Sequence, residues 1–166
     1  MVIVRLAPRP ALAFVFWAAS LGWAVALIVV PYLVARHPDR LALRPVAAAV
    51  YLTGGLVCHQ RPERSFHPWG VQMPVCGRCF GLYAAAPLGA GLGLVAGVGW
   101  LGRRRPMTAR EVRTLLVVTG LPTAATWSAE WLGLTAPSMM VRAAAALPLG
   151  AAVAWVIATA IREEIR

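Results

Sequence analysis

Long apolar stretches alternate with short polar ones along the chain. A helix that crosses a bilayer needs ~20 mostly apolar residues. Ala11 to Val34 carries no charge and predicts a first span. It follows Arg5 and Arg9 and so looks like a signal peptide. Its apolar core exceeds the ~7–15 residues of such a leader, and no small-x-small cleavage site follows, so a retained helix is expected. Ala35 to Pro45 is a polar linker. Val46 to Val57 is apolar but short and interrupted by Gly54 and Gly55, which predicts an interfacial or re-entrant helix. A polar segment, Cys58 to Arg78, follows. Phe80–Leu101, Leu115–Leu134 and Val141–Ile161 predict three further spans, with a turn at Thr135–Met140.

The pattern predicts an all-α, polytopic membrane bundle of four spans, a short helix and a Cys/His loop. It is one integral membrane domain over 1–166. Residues 1–45 form the N-terminal span and linker, 46–79 the short helix and loop, and 80–166 a three-span bundle. Composition agrees: 60% of residues are hydrophobic and 13% charged, against ~45–50% and ~25% in soluble chains. That excludes an ordinary soluble domain, and disorder with it.

The formal net charge is +10, and all 16 basic residues are Arg. Such a balance can announce nucleic acid. Here the arginines sit at the ends of apolar runs, where they set topology and meet anionic lipid. Membrane lipid is the expected partner, and no nucleic acid. The run Arg103–Arg105 is the strongest cytoplasmic marker. Fixing it inside puts both termini inside and the Cys58–Cys79 segment outside.

Small residues recur every fourth position at Gly81, Ala85, Gly89, Gly93 and Gly97, and again at Ala146, Gly150, Ala154 and Ala158. Such rows let helix backbones approach closely in lipid, so the second span is expected against the fourth. The same seams would serve a homo-oligomer or a larger membrane complex.

The chemistry gathers in one loop. The chain's three Cys (58, 76 and 79) and two of its three His (59 and 67) fall within it. Four soft ligands suit Zn²⁺. Cys76-x2-Cys79 would supply two, Cys58 a third, and His59 or His67 the fourth. The other reading is redox. A C-x2-C pair at a helix start resembles a dithiol acidified by the helix N-terminus and a nearby cation, with Cys58 as a resolving thiol. Glu130 lies near the outer end of the third span, and an ionisable group there is a functional candidate that needs a partner. Arg142 is the expected partner, with Arg64 and Arg78 as competitors. Glu130 and Arg142 are the candidate catalytic pair.

The blocks Cys58-His59-Gln60-Arg61, Arg64-Ser65-Phe66, Gly70 and Pro74-Val75-Cys76-Gly77-Arg78-Cys79, with Gly81 and Tyr83, resemble the family called domain of unknown function 2085. Glu130, Leu132-Gly133, Ser138, Arg142 and Gly150 extend the likeness from Cys58 to Gly150. The resemblance implies a small prokaryotic membrane protein of the cytoplasmic membrane with a Cys/His block, and brings no established activity. The leading expectation is an extracytoplasmic Cys/His metal site, zinc by its donor set, structural or catalytic. The alternatives are a membrane thiol–disulfide oxidoreductase using Cys76 and Cys79, similar in outline to quinone-coupled disulfide-forming enzymes, and an accessory subunit of a membrane complex.

Overall fold

A computed structural model of the chain describes residues 10–95 and 107–162. Arg5, Arg9, Gly97 and the run Arg103–Arg105, used above for the first span, packing and orientation, lie outside the described residues. The fold is all-α. In order come α1 (Pro10–Arg36), α2 (Arg44–Val57), α3 (Gly77–Val95), α4 (Ala109–Trp131) and α5 (Met139–Arg162), with single 3-10 turns at Leu41–Leu43, Pro62–Arg64 and Pro68–Gly70. Among the described residues there is no sheet, only an isolated antiparallel bridge between Ser65 and Cys76.

Among the described residues, three helices are long and apolar enough to cross a membrane: α1, α3 and α5. This corrects the expectation of four clear spans. α4 has 23 residues, about 34 Å at 1.5 Å per residue, which is length enough. Its apolarity falls short because Arg110, Glu111 and Arg113 open it and Thr114, Thr119, Thr123, Thr126 and Ser128 run through it. α2 is the short apolar helix expected after the linker. A proline lies inside each of the four long helices, at positions 31, 87, 122 and 148. Helices in lipid tolerate this when neighbours satisfy the freed carbonyls.

The small-residue rows meet each other. A methyl group on Gly81 would overlap the Ala143 carbonyl, one on Gly89 the Ala151 carbonyl, and one on Gly150 the Leu82 carbonyl. The pairs Gly77/Met139, Gly81/Ala143 and Gly89/Ala151 hold one constant offset, so α3 and α5 run parallel. Both therefore start at the same end of the bundle. The seams proposed for assembly are thus used within this chain. At the other end, Arg162 Nη1 donates to the carbonyls of Gly93 (2.7 Å) and Leu94 (2.8 Å), serving acceptors near the end of α3.

α1 packs antiparallel to α3, with Trp23 edge-on to Tyr83 at 6.0 Å and Trp17 against Gly91. Its Leu27 is wholly buried in a cluster with Cys58, Met73 and Val75, so the first span holds the loop down. α4 runs antiparallel along α5: Thr123 Oγ1 donates to the Ala145 carbonyl at 2.8 Å, and a methyl group on Gly120 would rest against Leu149. The end of α4 therefore returns to the starts of α3 and α5. Exposed apolar side chains such as Phe14, Val25, Leu88, Leu92, Val153 and Ile157 face outward, as lipid contact requires.

Candidate functional site

The loop between α2 and α3 is built on hydrogen bonds rather than on apolar mass. α2 ends where Cys58 takes an extended backbone (φ −145°, ψ 139°) while its N–H still reaches the Gly54 carbonyl at 2.9 Å. Two residues on, Gln60 is left-handed (φ 47°). Its side-chain amide donates to the carbonyls of Tyr51 (2.6 Å) and Pro74 (2.7 Å), and its own carbonyl accepts from Gln72 Nε2 at 2.5 Å. Tyr51 donates its hydroxyl to the Gln72 carbonyl. Gln60 thereby ties both arms of the loop to α2. The fit is close: a side chain on Gly54 would overlap the Pro74 carbonyl. Ser65, 1% exposed, donates to the Arg61 carbonyl at 2.9 Å, and Met73 N–H pairs with the Phe66 carbonyl at 2.8 Å.

The returning arm delivers Cys76 to the start of α3. The Cys76 carbonyl accepts from the Phe80 N–H at 2.8 Å, so Cys76 is the N-cap and Cys79 the third helical residue. These two positions face each other, which is why Ser-x-x-Glu forms a reciprocal cap; here the two groups are thiols. The three sulfurs of Cys58, Cys76 and Cys79 lie within 4.8 Å of one another, and all three are free thiols. Cys76 N–H donates to Cys58 Sγ at 3.2 Å. The Cys76 thiol is held well below the ordinary thiol range. The hydrogen bond from the Cys79 thiol does most of this; burial opposes it; the Cys79 N–H, the Cys58 thiol and the Arg78 N–H add to it. A thiol at a helix N-terminus is the setting in which thiolates form.

Neither histidine joins the sulfurs. The expected Cys/His metal site is thereby overturned: the cluster that could hold an ion is Cys58, Cys76 and Cys79 alone. The reason is local. Neighbouring residues in extended backbone point to opposite sides, and Cys58 is extended, so turning its sulfur inward leaves His59 exposed on the cavity rim. His67, exposed, stands ahead of the turn Pro68–Gly70. Three thiolates can still bind a soft metal ion or take part in thiol chemistry.

Beside the sulfurs sits a cluster of arginines on one carboxylate. Glu130 Oε2 accepts from Arg78 Nη2 at 2.8 Å, and Oε1 accepts from Arg142 Nη2 at 3.0 Å and pairs with Arg64 Nη2 at 3.1 Å. The three arginines were expected to compete for Glu130; they bind it together. α4 presents Glu130 in its last turn, closed by Gly133 in the left-handed conformation (φ 71°). Gly133 N–H reaches the Glu130 carbonyl and Leu134 N–H the Ala129 carbonyl, the two bonds that end a helix at a glycine. A cavity of about 400 Å³ opens here, lined by the three cysteines, His59 and four arginines, at 61, 64, 78 and 142. The reading from residues alone missed Gln60 as the organiser of the loop. Its acceptors lie on α2 and on the returning arm, so no short-range signal marks it.

A family model described as a predicted membrane protein (DUF2085) matches residues 58–156. Over 44 residues the chain is 43% identical to an uncharacterized protein of Methanocaldococcus jannaschii. That stretch covers 26% of this chain and 28% of the relative's length. No solved structure matches. The family match begins at the first cysteine and spans all three sulfurs together with Arg64, Arg78, Glu130 and Arg142. This prokaryotic-type integral membrane protein belongs to the DUF2085 family.

Proposed function

We propose that the cysteine rim performs thiol–disulfide exchange, making the protein a membrane oxidoreductase whose rim faces the extracytoplasmic side. The observation that carries this is the Cys76–Cys79 pair across the first turn of α3 with the Cys58 sulfur in reach of both. The Cys76 thiolate attacks one sulfur of a partner disulfide. A mixed disulfide forms and the first partner thiolate leaves. Cys79 gives up its proton and attacks the Cys76 sulfur, releasing the second partner thiol and closing Cys76–Cys79. The partner is reduced by two electrons and the cysteine pair oxidised by two; reversal needs a second dithiol to be oxidised. Cys58 is the thiol that can take the disulfide onward, as Cys58–Cys76. Burial of Cys58 fits transfer within the protein rather than from solution. Arg142 and Glu130 position the rim in this reading. α4 is taken as a fourth crossing, since it lies along α5, which leaves both termini inside and the rim in the compartment where disulfides persist.

A second reading follows from the mutual spacing of the sulfurs: a soft metal ion on three thiolates, zinc among the candidates, with its fourth position left to water or a ligand in the cavity. One experiment separates the two. The purified protein is equilibrated across a thiol/disulfide series, alkylated with a mass tag and assayed for metal. Exchange predicts a reversible two-electron loss of two free thiols that Cys76→Ser abolishes. Three thiols that stay reduced throughout, with one metal ion per chain lost in Cys76→Ser, would refute it.

A further inference from the structure

The arginines beside the sulfurs are more than Glu130 can use. Four line one cavity, at 61, 64, 78 and 142. The carboxylate in contact with them among the described residues is Glu130, and both its oxygens are already taken. Arg142 is 8% exposed, yet its Nε and Nη1 have no hydrogen-bond partner, and neither has Nε of Arg78. Buried guanidinium N–H groups are ordinarily paired, and unmatched cationic charge in a partly enclosed cavity raises the local concentration of anions. Glycine at position 77 keeps the starts of α3 and α5 in contact, so Arg78 and Arg142 are held on one wall by the backbone itself.

We infer that this cavity binds an oxyanion of the phosphate class, with Arg142 as its innermost anchor, Arg78 beside it and Arg61 and Arg64 at the mouth. Planar guanidinium groups match tetrahedral oxyanions by paired N–H donation. A free anion and the headgroup of an anionic lipid offer the same chemistry, and the bundle rim gives access to both. Either would sit next to the thiols, so an anionic group becomes part of whatever molecule or surface the sulfurs meet. The site stands on the arginines and not on the exchange reading.

The test uses the full chain in detergent and in lipid nanodiscs. Inorganic phosphate is titrated against the detergent-solubilised protein and followed by calorimetry and by the rate of Cys76 alkylation. Nanodiscs of phosphatidylcholine are compared with nanodiscs containing phosphatidylglycerol. Saturable one-to-one phosphate binding that slows alkylation, weakened about tenfold in Arg61→Gln and more in Arg142→Gln, supports a site for a free anion. Protection from alkylation by phosphatidylglycerol alone, lost in the same variants, supports a headgroup site. Arg61 is exposed, so its variant remains informative if Arg142→Gln fails to fold. Absence of saturable binding to both probes, or binding undiminished in Arg61→Gln and Arg142→Gln, overturns the inference. A protein that takes phosphate but shows no reversible thiol oxidation overturns the exchange reading and leaves this one standing.

Discussion

At Cys76 two backbone duties meet. Its carbonyl opens α3, and its N–H is spent on the Cys58 sulfur. The side chain is left in a field of donors that favours the thiolate. A lowered thiol pKa means that the reactive form survives as pH falls. An ordinary thiol, with pKa ≈ 8.5, loses about 50-fold of its thiolate between pH 8.5 and pH 6.5. Cys76 should keep most of its alkylation rate over that interval, measured by mass-tagging in a Cys58→Ser background; a rate that falls tenfold per pH unit below 8 would contradict the assignment. The Cys76–Cys79 pairing was legible because its spacing needs only a helix start. Cys58 needed the whole loop to bring it near, yet its place among the sulfurs was also legible, because three cysteines in so short a segment admit few arrangements. The histidines stay apart from the sulfurs for a physical reason: the turn that would bring His59 beside Cys58 is not made, since Cys58 is extended and sends its neighbour the other way, and His67 stands exposed ahead of the turn Pro68–Gly70. Gln60 was illegible as an organiser because its acceptors, Tyr51 and Pro74, lie 9 and 14 positions away. Gln60→Ala would strand two carbonyls and cost about 2 kcal/mol, read as a lower thermal midpoint with the loop exchanging amide protons faster.

Helices α3 and α5 touch through glycine and alanine, so little side-chain volume separates their backbones. This was legible in the four-residue register, which lipid makes meaningful because close packing replaces hydrophobic drive there. Gly89→Leu should force the pair apart. Overpacking ordinarily costs 1–3 kcal/mol, and contact with a carbonyl that cannot swing aside places this case at or above about 3 kcal/mol; the melting of the detergent-solubilised protein checks it, and an unchanged midpoint would mean that the seam opens freely. Helix α4 was legible in existence but not in character. Its start is marked by Thr108 and Glu111, which cap each other reciprocally (Thr108 N–H to Glu111 Oε2, 2.8 Å; Glu111 N–H to Thr108 Oγ1, 3.3 Å). That places the helix start ahead of the apolar run at Leu115. Hydropathy weighs side chains, whereas caps act on the backbone, and the two need not agree on where a helix begins.

Across the molecule, Glu130 joins four pieces that the chain keeps far apart: the loop through Arg64, α3 through Arg78, α5 through Arg142, and its own α4. Removing one member of a largely buried ionic cluster leaves the rest uncompensated. Glu130→Gln should therefore destabilise by about 3 kcal/mol, with the loss concentrated at the rim, while Glu130→Gln combined with Arg142→Met should recover part of it. Melting of the double variant beside Glu130→Gln and Arg142→Met singly decides: a loss equal to the sum of the two single losses would mean that the charges act independently. The meeting of three sulfurs at one point adds a consequence for the choice of oxidised form. A bond between residues 76 and 79 spans one helical turn and leaves the loop's motion as it was. A bond between 58 and 76 cross-links a segment of 18 positions, which by chain entropy restricts the unfolded loop by about 3 kcal/mol. The two forms hold the same number of electrons yet differ in stiffness, so trypsin should cut after Arg64 readily in the first and slowly in the second, and a protease becomes a reporter of where the electrons were drawn from.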